Sequence, residues 1–383
     1  MSHLRLIQTL ALHSSSSLTL ACCTVIIASL TTYTPLTFAS EPATWTGTWY
    51  FENDLFTDTD QDYTNGVRFS AISPDISSFE DDESLPQWTR SLYKLAGRFN
   101  PEVGRREQLQ RNLVATVGQK MYTPGDIYRT TVDPNDRPYA GWLYLGAAYQ
   151  GQHDNQLNAL AINVGIVGPA SLAHETQDFI HKLRGLYTFK GWDNQLNNEL
   201  GIQIISETKH RRSRGVSTLT VPVLGHLEYD LITHKGFSLG NIETSLNAGA
   251  EARLGFQLPH DFGTSSLRTA GDNSSPGRFD NRSYSSSLAS NIGAHAFVAT
   301  DARWVLHNIF LDGNTFSDSH SVDKEPLVAD VAVGIAAVYK GFKLSVARVH
   351  RTREFKTQDG AHHFGSIALS YSCNGWNCFK FDQ

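Results

Sequence analysis

Charge is scarce in this sequence. Asp, Glu, Lys and Arg make up 18% of its 383 residues, against roughly 25% in an ordinary soluble domain, so part of the folded surface meets a medium other than water. Neither sign dominates: 32 Lys and Arg stand against 38 Asp and Glu, which excludes a nucleic-acid partner held by a basic field. Long apolar runs are missing as well. The run from Leu18 to Leu30 is too short to span a bilayer, and nothing after it reaches the eighteen or more apolar residues of a membrane helix. Catalytic signatures are equally thin, with no Gly-x-Ser-x-Gly and no His-Glu-x-x-His, so no motif argues for an acyl-enzyme or a zinc protease. Cysteine is limited to four positions.

The amino-terminal segment accounts for two of those cysteines. Residues 1–39 carry a single charge, Arg5, then the apolar run, then Thr37-Phe38-Ala39 with small residues where a signal peptidase reads, which predicts a cleaved secretory signal. Thr19 and Leu20 fit poorly before Cys22, so lipoprotein processing is not expected. The remaining chain, 40–383, keeps only Cys373 and Cys378. In an oxidising compartment the pair forms either a disulfide or two free thiols, and its spacing is not that of a Cys-x-x-Cys metal or redox motif.

What the chain does have is a period of two. Trp45-Gly47-Trp49-Phe51, Val67-Phe69-Ala71, Leu143-Leu145-Ala147-Tyr149 and Ile367-Leu369-Tyr371 alternate with polar residues, as half-polar strands do. Thr218 through Leu231 reads as one long strand. Val331 to Tyr339 and Phe342 to Val346 read as a hairpin around Lys340-Gly341. Secretion, strands of about ten residues and aromatics near their ends predict a single antiparallel transmembrane β-barrel of about 12 strands with a lipid-facing belt. A soluble β-sandwich is the rival fold. Two segments break the pattern: Phe79 to Arg111, charged and irregular, and Ala173 to Leu186, whose Phe179, Leu183 and Leu186 have helical spacing. The second predicts a short loop helix carrying His181.

Three stretches concentrate chemistry. Glu52-Asn53-Asp54 is followed by Asp58, Asp60, Asp62, Tyr63, Thr64, Asn65 and Gly66, a density of hard oxygens that suits Ca²⁺ or a solvated acidic loop. If Trp45, Trp49 and Phe51 face lipid, alternation sends Glu52 and Asp54 inward, and Thr64 shares the inward parity of Arg68 and Ser70. Tyr63 and Phe69 stand where an EF-hand needs Gly and Glu, so this is not an EF-hand. His181 lies in Glu175-Thr176-Gln177-Asp178-Phe179-Ile180-His181, ahead of Gly191-Trp192-Asp193-Asn194-Gln195-Leu196 and Glu199. It is one of 15 histidines, and by itself is as well read as a network residue as a base. Arg137, in Asp136-Arg137-Pro138-Tyr139-Ala140-Gly141-Trp142, pairs either a phosphate or a carboxylate.

Taken in order, these pieces resemble the lipid A 3′-O-deacylase family of outer-membrane barrels. The resemblance rests on Glu52-Asn53-Asp54-x-Phe56, Asp62-Tyr63-Thr64-Asn65-Gly66, Gly118-Gln119-x-x-Tyr122-Thr123-Pro124, Asp136 to Tyr144, and Gly165 to Ser171. It continues through Gln177-x-x-x-His181, Gly191 to Leu196, and Glu354-Phe355 with Phe364-Gly365-Ser366. It implies a 12-stranded barrel in the outer membrane of a Gram-negative bacterium that removes the 3′-linked acyloxyacyl chain of lipid A, or of lipopolysaccharide, with Ca²⁺. It places the active site at Asn53, Asp54, Thr64 and His181: His181 as general base, Asp54 and Asn53 toward the metal, Asn53 also toward an oxyanion, and Thr64 orienting the site. Leu55 and Tyr187 depart from the family's pattern, which has acidic residues there. A non-catalytic barrel, such as a porin, a receptor or a structural protein, is the rival function.

Overall fold

In a computed structural model the described residues are 44–53, 62–76, 87–99, 110–153, 155–212, 217–221, 225–264 and 292–374. The predicted signal at 1–39 lies outside them. Thirteen strands form one antiparallel sheet: β1 Thr44–Asn53, β2 Asp62–Ile72, β3 Gln110–Thr123, β4 Ala140–His153, β5 Gln156–Val167, β6 Glu199–Arg211, β7 Ser217–Val221, β8 Gly225–Gly240, β9 Glu243–Phe256, β10 Ile292–Asn308, β11 Leu327–Tyr339, β12 Phe342–Arg351 and β13 His362–Asn374. Each pairs with its neighbour in sequence except β6 with β7, and β1 pairs with β13 from Thr44↔Asn374 to Asn53↔Gly365.

Closure runs through β6 and β8, paired from Gln203↔Gly240 to Arg211↔Ile232. Beyond that point β8 pairs instead with β7, from Ser217↔Tyr229 to Val221↔Gly225. β7 therefore prolongs β6 in the same lane, and the ring is a closed 12-strand barrel. This corrects the reading of Thr218 to Leu231 as one strand: the segment is two arms of a hairpin. The expected hairpin at Lys340-Gly341 is present, with Lys340 at φ 51°. The segment read as irregular contains a 13-residue helix, Gln87–Phe99.

The alternation decides which face each side chain takes. Trp45, Phe69, Leu145, Val333 and Ile335 project outward, Leu145 with 64% and Ile335 with 67% of its surface exposed. Thr46, Thr48, Tyr50, Glu52, Arg68 and Ser70, of opposite parity, are buried in the lumen. Along β11 the exposed apolar side chains run from Leu327 to Tyr339, about 40 Å of strand and about 30 Å of height at the usual barrel tilt, enough for a bilayer's hydrocarbon.

Ion pairs and rings pack into the lumen. Arg253 is held by Asp230 at 2.6 Å and by Asp261 at 2.6 Å, and Lys343 meets the other oxygen of Asp261 at 2.6 Å. Arg351 and Arg303 share Asp330. Phe310, from the short helix Ile309–Asp312, stacks on Tyr122 with centroids 4.3 Å apart. Cys373 is disulfide-bonded, while Cys378 lies outside the described residues.

Candidate active site on the outer wall

One rim carries the ends of β1, β3 and β5 and the starts of β2, β4 and β6, so Asn53, the start of β2 and the 168–198 connection all lie at that rim. The register aligns Asn53 with Asn65, Asn65 with Met121, and Met121 with Gly141 across β1 to β4. Directly paired residues share a face. This row has the parity of Trp45, Phe69, Val117 and Leu145, so it belongs to the outer wall. Yet Asn53 and Met121 are buried, at 5% and 1% exposure.

The loop helix Ala173–Arg184 covers the Met121–Gly141 part of the row. Gly141 makes the approach possible: a Cβ there would stand 2.1 Å from Ser171 Oγ and 2.3 Å from Ala173 Cβ. From β3, Gln119 Nε2 donates to the Ser171 carbonyl at 2.7 Å. Beneath the helix, Met121, Tyr139, Ala173, Phe189 and Trp192 form one apolar cluster. Trp192 Nε1 donates to Gln177 Oε1 at 2.7 Å, and His174 stacks on the Trp192 ring. The motifs around Gln177 and Trp192 thus build the scaffold that holds the helix on the wall.

The helix buries Ala173, Gln177 and His181, a stripe at four-residue spacing. His181 is 3% exposed, edge-on to Phe189 with centroids 5.4 Å apart. Its Nδ1 lies 2.6 Å from the Tyr187 carbonyl oxygen. A carbonyl only accepts, so Nδ1 carries the proton and donates, and Nε2 is the basic nitrogen of the ring. The chain reaches that position through a Schellman turn: Gly185 takes φ 69°, its N–H bonds Lys182 O, and Leu186 N–H bonds His181 O at 2.8 Å. The departure at Tyr187 acquires a physical reading here. The position serves His181 through its backbone, while its side chain is 76% exposed and meets Tyr128 edge-on.

The expected residues divide in three. Asn53 and His181 occupy the outer side of the same rim, with Asn53 about two strand spacings, about 10 Å, from Met121 beneath the helix. Thr64 lies on β2, whose register shifts between Asp62 and Asn65, so simple alternation no longer assigns its face. Asp54, Asp58 and Asp60 lie outside the described residues. Among the described residues no three His, Cys, Asp or Glu side chains converge as a metal cage, and Asn53 is the one expected calcium ligand whose side chain is described. Arg137 chose the carboxylate: fully buried, it meets Glu354 at 3.3 Å and lies over the Tyr122 ring. Sequence reading missed Gly141 and Met121 as the floor under the helix; the signal available was a glycine within an aromatic strand, a mark of close approach.

The family described as "Outer membrane protein LpxR" matches residues 18–373. No curated protein sequence matches the chain. Among solved structures, LpxR from Salmonella typhimurium is similar at 16% identity and TM-score 0.62, over 85% of this chain and 99% of that one. The β-domain of the Bordetella autotransporter BrkA covers 86% of this chain and 99% of its own at 8% identity, with a TM-score of 0.37.

Proposed function

The chain belongs to the LpxR family of outer membrane proteins, and from that membership we propose that it is a lipid A 3′-O-deacylase whose reaction takes place between the barrel's outer wall and the loop helix. The observation that carries this is His181, buried beside the wall with its proton fixed on Nδ1 and Nε2 left basic. A water between Nε2 and the ester carbonyl would give its proton to Nε2 as its oxygen attacks. The imidazolium then returns that proton to the departing sugar oxygen, leaving a carboxylic acid and the 3′-hydroxyl. Asn53 would stabilise the oxyanion, and Thr64 would orient the site. Calcium, implied by the resemblance to deacylase barrels, would be held by Asp54 with Asn53 and would polarise the ester carbonyl.

An outer-wall site suits the substrate. Lipid A is an outer-leaflet lipid, and a groove on the lipid-facing side admits it laterally without pulling its chains through water. The decisive experiment is mass spectrometry of lipid A from Gram-negative cells with and without the protein. Loss of the mass of the 3′-linked acyloxyacyl chain only in expressing cells is expected. Unchanged lipid A, in cells whose outer membranes contain the folded barrel and in detergent with added Ca²⁺, would sink the proposal.

A further inference from the structure

The loop helix is amphipathic in the reverse sense for a helix packed against a water-soluble core. Its buried stripe is partly polar, whereas Phe179 and Leu183, one turn apart on another face, are 67% and 75% exposed. Leu172 before the helix and Leu186 and Tyr187 after it extend the apolar surface at 44%, 38% and 76% exposure. Tyr128, at 59%, continues it from the neighbouring loop. A patch of this kind marks a surface with an apolar partner.

We propose that this stripe is immersed in the acyl-chain layer of the outer leaflet, making the loop helix an interfacial anchor as well as the carrier of His181. Continuity with the lipid belt identifies the occupant. The helix rests on Gly141 and Met121, and four residues further along the same outward faces come Leu145 and Val117, exposed at 64% and 40%. Four residues are about 13 Å of strand, about 10 Å of depth at the tilt of barrel strands, so the stripe lies at the upper margin of the hydrocarbon. The polar edge also fits. Lys182 and Arg184 occupy the last turn, Lys182 pairs with Asp178 on the flank of the apolar stripe, and Glu175, one turn before Phe179, borders it, so basic side chains can reach among the headgroups as in helices that lie in an anionic interface. Immersion would keep the groove's outer lip level with the glycerol and sugar esters of the leaflet. It stands on the membrane assignment and the exposed stripe alone, so it survives or fails independently of the hydrolytic reaction.

The test uses the whole protein in liposomes of phosphatidylcholine and phosphatidylglycerol without lipid A. Single cysteines replacing Asp178, Phe179, Lys182, Leu183 and, as the lipid-facing reference, Leu145 are spin-labelled. Accessibility to oxygen is then compared with accessibility to a water-soluble nickel chelate. Labels at 179 and 183 are expected to favour oxygen like the label at 145, and those at 178 and 182 to favour nickel by several-fold. Equal nickel access at 179, 183 and 178 would overturn the proposal. So would an apolar signature that appears only after lipid A is added, which would assign the stripe to substrate chains, or dipolar broadening between molecules, which would assign it to a second copy. All five positions lie off the buried stripe of the helix, and the mobility shift of the folded barrel on unheated gels checks that each variant is assembled.

Discussion

Gly141→Ala is the sharpest perturbation of the proposed site, because it touches neither His181 nor the lumen. The added methyl would meet Ser171 Oγ at 2.1 Å and Ala173 Cβ at 2.3 Å. The serine hydroxyl can rotate aside, but the Ala173 methyl is fixed to the helix. A carbon–carbon contact of about 3.6 Å then requires the helix to retreat by about 1.3 Å. Overpacking of this kind costs about 1–3 kcal/mol, and it falls on the loop, since the β3–β4–β5 ladders run within the wall and stay intact. His181 is two turns along the same buried stripe as Ala173 and moves with it. A displacement near 1 Å from reacting geometry lowers a rate by about 10²-fold. Assembled barrel, measured by gel mobility, should be unchanged while release of the 3′-linked chain falls by that factor. Adding Ala173→Gly removes the fixed methyl and should restore most of the loss. A wild-type rate from assembled Gly141→Ala would refute the claim that this contact sets the position of His181.

Three further outcomes are expected. His181→Ala should leave assembly intact and lower hydrolysis by at least about 10²-fold, as loss of a general base does; wild-type deacylation would remove His181 from the mechanism. Asp54→Asn should raise the Ca²⁺ concentration needed for half-maximal activity, whereas full activity in excess chelator would end the calcium assignment. At Asp312 burial alone would raise the carboxyl, but His307, Lys324 and the Asn308 N–H bind it and bring it down to about 2 from 3.8. The folded value lies below the unfolded one, so the stabilisation is present above about pH 4 and lost as pH falls toward 2, about 1 kcal/mol after solvent screening. Amide exchange in 309–326, corrected for intrinsic rate, should therefore lose protection between pH 4 and pH 2, and Asp312→Asn should flatten that response.

The barrel was legible because lipid outside and side chains inside impose a strict period of two, and Trp45 to Phe51 or Val331 to Tyr339 obey it. The Thr218–Leu231 segment misled for the same reason: the apolar parity of Leu219 and Val221 continues at Leu227 and Tyr229 even though the two stretches pair as antiparallel strands. The loop helix was legible in its spacing but not in its orientation. Phe179, Leu183 and Leu186 suggest a buried face only if the helix packs on a core in water. This one packs on the outside of a membrane barrel and buries Ala173, Gln177 and His181 instead. Asn53 illustrates a similar limit. Alternation sent its neighbour Asp54 toward the lumen and gave Asn53 the outward parity of Phe51, but only its register with Asn65 and Met121 shows which strands it lies beside on the outer wall, and register is a property of paired strands. The lumenal pairs were hidden for a simpler reason: Arg253, Asp230 and Lys343 are distant in sequence and meet only when the ring closes.

That interior has a consequence for the cell's permeability. Arg253, Asp230, Asp261 and Lys343 are mutually neutralised and nearly inaccessible, and Phe310 and Tyr122 stack within the same lumen. Among the described residues, side chains packed this closely leave little room where they meet for hydrated ions or small antibiotics, unlike the open lumen of a large porin. Copy number is thereby uncoupled from leakage. A bacterium can insert many of these barrels without electrically shunting its envelope or weakening its sieve, and planar bilayers loaded with the protein should carry a flat current under applied voltage.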